Sequence, residues 1–262
     1  MATQSSKPAP STGAVPALKK TVNTVSVQDT LAAQVAALAG KIAPVNGNMI
    51  RVTLDKKFQL PNGAISAGPL HLVVLDFLSV NRFYEDEYDK DNVVPPACFA
   101  IDASPLNMVP SANCPAKQCD SCNDCPMNQF NSAGKAKACK NTRLLAVLPP
   151  GAEPDTPICL LSVSPTALKA WDSYVGSVVR TFGQPPIAVV TEVSFSDDSD
   201  FPTLRFGNPE PNEAVAGYLE RLAEAVELLK AEPDVWQYQP PAPLPARAHA
   251  RPHARKSLAA HR

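Results

Sequence analysis

Between residues 46 and 232 the chain alternates short apolar runs with turn signals, and most of these runs have the period of strands. Residues 49–60, a turn around Pro61, Asn62 and Gly63, and residues 71–80 read as strand, turn, strand. Residues 98–102, 143–149 and 158–163 give further short strands, and 187–195 and 202–207 give two more across the acidic turn 196–200. Two segments depart from this pattern. In 164–179, Ser164 and Pro165 supply a capping start, and Leu168, Trp171, Tyr174 and Val178 recur at helical spacing. Residues 212–232 carry a second amphipathic helical pattern. A short Ala-rich helix is predicted in 26–40, with Leu31, Val35 and Leu38 on one face and Gly40 closing it.

Strands with one helix inside their run and helices at the margins suit a small barrel. The expected fold is mainly β (α+β), an OB-like antiparallel barrel with flanking helices and an inserted Cys-rich metal knuckle. The expected organisation is a disordered arm over 1–25, a helix and linker over 26–45, a core domain over 46–232 with the knuckle at 111–142, and a disordered basic tail over 233–262. Composition bears on these limits: nine of the 28 prolines fall in residues 1–25 and 233–262, while only 11 glycines exclude collagen. No apolar run approaches ~18 residues, so no membrane span is expected. The opening stretch lacks the basic-then-apolar order of a signal peptide, which predicts a cytoplasmic protein. Neither GxGxxG nor GxxxxGK[ST] occurs, which argues against a nucleotide-driven motor.

Net charge is −1, but the tail holds Arg247, Arg251, Arg255, Lys256 and Arg262 without an acid from residue 240 onward. The body is therefore acidic, and any nucleic-acid surface on it must be a local groove. Of the four histidines only His71 lies in the body, in an apolar run where a hydrogen-bonded core position is expected. A His-based triad or multi-His metal centre is thereby disfavoured, and no enzyme is expected.

Seven cysteines in a cytoplasmic chain, five of them between positions 114 and 139, argue for metal rather than disulfides. Cys119, Cys122 and Cys125 form two overlapping Cys-x2-Cys turns, whose sulfurs can converge on one point, and Cys139 returns a fourth. Zinc on these four is the expected site, with Cys114 as an alternative ligand. The Cys-x2-Cys-x2-Cys run before Pro126 leaves an iron–sulfur cluster as the other reading. Cys98 and Cys159 sit in strand-like apolar contexts and read as buried free thiols.

The knuckle also carries Lys135, Lys137, Lys140 and Arg143 around Phe130, the composition of a surface that holds phosphates and stacks bases. Arg82, Phe83 and Tyr84 at the end of a strand, with Tyr88 in the acidic loop that follows, add a second set of candidate nucleic-acid contacts.

Taken in order, these motifs resemble a known family. Arg82-Phe83-Tyr84 is followed by Pro-Pro-Ala-Cys-Phe (Pro95 to Phe99), Cys-x2-Cys-Pro-x-Asn (Cys122 to Asn128), Gly-Lys-x-Lys-x-Cys (Gly134 to Cys139) and Arg-x-x-Ala-Val (Arg143 to Val147). The arrangement resembles tailed-phage single-stranded DNA-binding proteins, and its layout is similar to the helix-destabilising protein of T-even phages, an OB-fold interrupted by a zinc subdomain. The resemblance covers about residues 46–230. It implies a non-enzymatic, sequence-nonspecific single-stranded DNA-binding protein of phage replication or recombination, acting in the host cytoplasm with replication proteins as partners. Two features differ: no His lies near this knuckle, and the tail is basic where such proteins commonly end in acids. The alternatives from other classes are an iron–sulfur DNA-processing enzyme and an adaptor that docks a protein through a zinc knuckle.

Overall fold

The computed structural model describes residues 47–86, 94–236 and 238. The expected arm, the helix in 26–40, Tyr88 and, of the basic tail, residues 237 and 239–262 lie outside these residues. The described chain is mainly β, with one sheet curled strongly into half a barrel. Its strands are β1 (Met49–Val52), β2 (Phe58–Gln59), β3 (Ile65–Ser66), β4 (Leu70–Phe83), β5 (Cys98–Asp102), β6 (Lys140–Leu148), β7 (Cys159–Val163), β8 (Val189–Phe195) and β9 (Leu204–Pro211). They run in the order β3-β2-β1-β7-β6-β4-β8-β9, with β5 beside β4. With β5 set aside, β8-β4-β6-β7 has the Greek-key order, in which three strands are followed by a fourth that returns beside the first.

The longest strand, β4, organises the sheet. Along one edge it pairs with β6 from Val73↔Leu148 to Arg82↔Lys140. Its other edge is divided, with β8 against Leu70–Leu72 and β5 against Ser79–Phe83. Serving two partners in different directions requires a bend, and the register shifts between Val74 and Asp76. The Asp76 carboxylate accepts from the Phe77 N–H at 2.8 Å there.

Both faces of β4 are buried, which explains its nearly continuous apolar sequence. On one face Val74, Leu145, Val147 and Leu161 pack under helix α1 (Leu168–Phe182), which inserts Trp171, Tyr174 and Val178. These are the residues predicted for its buried stripe. A 3-10 turn over Pro165–Ala167 precedes α1, which ends at Gly183 in the left-handed region (φ 65°), where glycine carries no penalty. On the other face Val73, Leu144, Ala146 and Leu148 meet Tyr218, Ala225 and Leu229. These come from α2 (Val215–Leu219) and α3 (Leu222–Lys230), into which the single expected helix of 212–232 is broken. At the break Arg221 donates to Pro154 O (2.9 Å) and Thr156 O (3.1 Å), and a straight helix would not hold it over that loop.

The first strand pair also differs from expectation. Residues 49–60 are not one strand, because Thr53 Oγ1 accepts from the Lys57 N–H at 3.0 Å and folds the chain back between β1 and β2. The resulting hairpin spans the open side of the sheet: Phe58 stacks on Phe195 at 4.5 Å, and Lys56 Nζ donates to Ser196 O at 3.1 Å. The end strands β3 and β9 do not pair with one another among the described residues.

His71 is corrected from a core position to an exposed one. It faces Glu192 directly across β4 and β8, with Nε2 at 4.0 Å from the carboxylate, because strand alternation turns it away from Leu72. Among the described residues no helix is long and apolar enough to cross a membrane.

The buried polar pair Tyr174–Thr191 gives a direct test of the core. Their hydroxyls lie 2.8 Å apart beneath α1, and burial raises the phenol above its usual pKa. Tyr174→Phe leaves the fully buried Thr191 hydroxyl without this partner and is expected to cost about 1–2 kcal/mol. Urea denaturation should show a lower midpoint with an unchanged slope.

Candidate functional site

Between β5 and β6 the chain leaves the sheet as a cysteine-rich insert with little regular structure, so its backbone must find partners elsewhere. The Ser111 N–H bonds to Phe99 O (2.9 Å) and the Ala116 N–H to Ala97 O (2.8 Å), fastening the insert along β5. Within it the Cys122 N–H reaches Met108 O (3.0 Å) and the Cys139 N–H reaches Met127 O (2.8 Å). Glu232, just past α3, accepts from Ser111 Oγ and from Asn113 Nδ2, each at 2.6 Å.

A chain of amides joins sheet to insert. Asn141 Nδ2 donates to Asn81 Oδ1 (2.6 Å) and to Asn128 Oδ1 (2.9 Å), and Asn128 Nδ2 donates to Cys122 O (2.7 Å). Asn81 and Asn141 lie opposite one another in the β4–β6 register, so the sheet itself sets this polar spine.

The thiols divide into two groups. Cys98, Cys122, Cys125 and Cys139 line one cavity of about 10 Å³, together with Phe83 and Asn81. Cys114 and Cys119 do not line it. The Cys114 sulfur accepts from the Phe99 N–H at 3.1 Å and touches Cys98, while Cys119, half-buried, contacts Cys125. Burial, reinforced by neighbouring thiols, pushes Cys98 up to about 11 and Cys139 to about 12. Cys122 is raised by burial, with the Asn81 amide opposing that shift by donating to its sulfur. Among the described residues, no three His, Cys, Asp or Glu side chains are already gathered at metal-holding distance. Cys159 is half-buried on β7, away from the insert, with its thiol also raised by burial.

The sequence-predicted nucleic-acid residues are distributed unevenly. Phe130 is 72% exposed, and Lys137 Nζ sits 5.2 Å from its ring centroid, within cation–π range. Lys135 occupies the tip of a tight turn in which Ala133 and Ala136 exchange backbone hydrogen bonds of 3.1 and 3.0 Å, and Gly134 takes φ 60°. Lys140 reaches back to Lys137 O (3.5 Å) and lies opposite Arg82 across β4 and β6. Phe130, Lys137, Lys140 and Arg82 thus form a continuous row, and none of these three cations makes an ion pair among the described residues.

Other residues are drawn away from that row. Phe83 alternates to the opposite face from Arg82, pairs with Cys98 and lines the thiol cavity. Tyr84 follows at the strand end, 38% exposed. Arg143 is 8% exposed and turned toward Asp172 of α1 at 3.6 Å, so its charge is spent inside the fold rather than on a ligand. Sequence reasoning missed Cys98 as a member of the thiol cluster. Its strand context was correctly read, but only the register opposite Phe83 turns it toward the insert.

No protein-family model, curated protein or solved structure matches this chain.

Proposed function

We propose that this protein binds single-stranded DNA without sequence preference, as a non-enzymatic component of phage replication or recombination, through an OB-like barrel whose insert is stiffened by a structural zinc ion. The row Phe130–Lys137–Lys140–Arg82 carries this reading: it sets a stacking ring beside three cations that make no ion pair among the described residues, the two elements that hold a single strand.

The strand order supports the barrel part. An OB-fold is a five-stranded, partly open Greek-key barrel that binds oligonucleotides on its second and third strands and on the loops after the first and fourth. Counting β4, β6, β7, β8 and β9 as those five strands, the insert occupies the first of these loops, and α1 lies between the third and fourth strands. One face of the first and second strands is covered by α2 and α3, and the loop after the fourth holds Asp197, Asp198 and Asp200. A phosphate chain is repelled at that acidic end, which favours the basic insert as the surface for DNA.

Zinc suits the insert because four thiolates complete its tetrahedral structural shell, and four cysteines line one cavity there. When bound, a four-thiolate zinc ion supplies cross-linking of the insert and no open position for catalysis. The adaptor reading has its own support in Leu106 and Val109, which are 68% and 60% exposed on the insert.

Fluorescence anisotropy with labelled oligo-dT at low and high salt, against a duplex control, separates these readings. Tight single-strand binding is expected, with log affinity falling on log salt by about 0.7 per phosphate neutralised. Lys135→Ala combined with Lys137→Ala should reduce that slope by about 1.4 and weaken binding at low salt. Absence of oligo-dT binding at low salt would leave the adaptor reading in its place.

A further inference from the structure

The thiols that converge in space are not those adjacent in sequence. Cys119, Cys122 and Cys125 form the obvious run, yet Cys119 stands outside the cavity and Cys98, contributed by a strand of the main sheet, lines it. The lining is fixed from both sides: Cys98 stands opposite Phe83 in the β4–β5 register, and Asn128 Nδ2 donates to Cys122 O at 2.7 Å. Cys114 has a different engagement, its sulfur held between the Phe99 N–H and Phe99 O, each at 3.1 Å.

We infer that a single divalent zinc ion is held by Cys98, Cys122, Cys125 and Cys139, so that the metal joins strand β5 to the insert and to the start of β6 instead of closing a self-contained knuckle. This deepens the structural-metal part of the proposed function and does not depend on DNA binding. Drawing four sulfurs to about 2.3 Å from one ion requires the side chains to close inward on the cavity they already line. Each thiol releases its proton to solvent as it ligates. The site then ties together Cys98, opposite Phe83, and Cys139, directly before Lys140, and so holds the base of the basic row from both strands. Cys114 and Cys119 remain free thiols at its margin.

The test uses the full chain, purified under reducing conditions and supplied with excess zinc, with bound metal measured after desalting. About one zinc per chain is expected. Cys98→Ser should reduce this to near zero, whereas Cys114→Ser and Cys119→Ser should each retain about one. Because Cys98→Ser sits on a sheet strand and can unfold it, the wild-type chain supplies a second readout. N-ethylmaleimide labelling followed by peptide mass spectrometry should show Cys98, Cys122, Cys125 and Cys139 labelled only after chelation, with Cys114 and Cys119 labelled alike with and without chelator. Chelation-dependent labelling of Cys119 with Cys98 indifferent overturns the assignment, as does a zinc-supplied chain that retains no metal or one that takes up iron with absorbance near ~400 nm. A chain that holds zinc at these four cysteines yet fails to bind oligo-dT retains this inference and loses the preceding one.

Discussion

Phe130→Ala is expected to weaken oligo-dT binding by about 5- to 150-fold, the equivalent of about 1–3 kcal/mol for one stacked base. The ring is 72% exposed and lies on the insert with no place in either main core cluster, so its loss should leave thermal stability nearly unchanged. Lys137 complicates the reading, since its ammonium sits 5.2 Å from the ring centroid and 3.4 Å from Asn128 Oδ1. If ring and cation grip one nucleotide together, the double variant Phe130→Ala/Lys137→Ala loses less than the sum of the single losses. The salt slope separates their contributions. Phe130→Ala should leave it unchanged, and Lys137→Ala should reduce it by about 0.7. Equal affinities of wild type and Phe130→Ala, with the melting temperature preserved, would remove stacking from the proposed function.

Trp171→Ala should destabilise the chain by about 3–5 kcal/mol, a large share of the about 5–15 kcal/mol that holds a domain folded. Trp171 is fully buried at the junction of α1 with the sheet, with Phe77 and Phe206 packed edge-on at 5.2 and 4.9 Å and Tyr174 tilted at 6.0 Å. No other fully buried side chain is larger. Its Nε1–H, however, meets no acceptor among the described residues. Trp171→Phe keeps an aromatic ring and removes that orphaned donor, so it should cost less than half as much in urea denaturation. A Phe variant as unstable as the Ala variant would show that the volume and ring contacts of the indole, and not its N–H, set the cost.

The parts of the fold legible in the sequence were those governed by one local period. The stripe of Trp171, Tyr174 and Val178 is a helix property and was read directly, as were the apolar cores of β4, β6, β7 and β8. What remained hidden depends on contacts distant in sequence. The continuous run at 71–80 gives no sign that β4 extends from Leu70 to Phe83 and serves three partners, because a strand buried on both faces loses its alternation. His71 illustrates the opposite error: an apolar neighbourhood suggested the core, but its place opposite Glu192 puts it in solvent. At the candidate site the lysines and Phe130 were visible as a composition, while their alignment with Arg82 required the β4–β6 register. The same register turns Phe83 inward and leaves Arg143 against Asp172, distinctions that no spacing rule in a loop-separated pair of strands encodes.

The parallel pairing of β1 with β7 has a consequence for how the chain is made. Met49 meets Leu160 and Ile50 meets Leu161, partners about 110 residues apart. At a synthesis rate of about 5–20 residues per second, β1 leaves the ribosome roughly 5–20 s before its partner exists. Until then the β1–β2–β3 hairpin lacks the edge it completes, and Phe58, fully buried in the finished fold, has no Phe195 to stack on. Non-local pairings of this kind form late and slowly. The hairpin is therefore expected to dock late, although it is made first, and the β4–β8 pairing, with partners about 120 residues apart, is expected to be late as well.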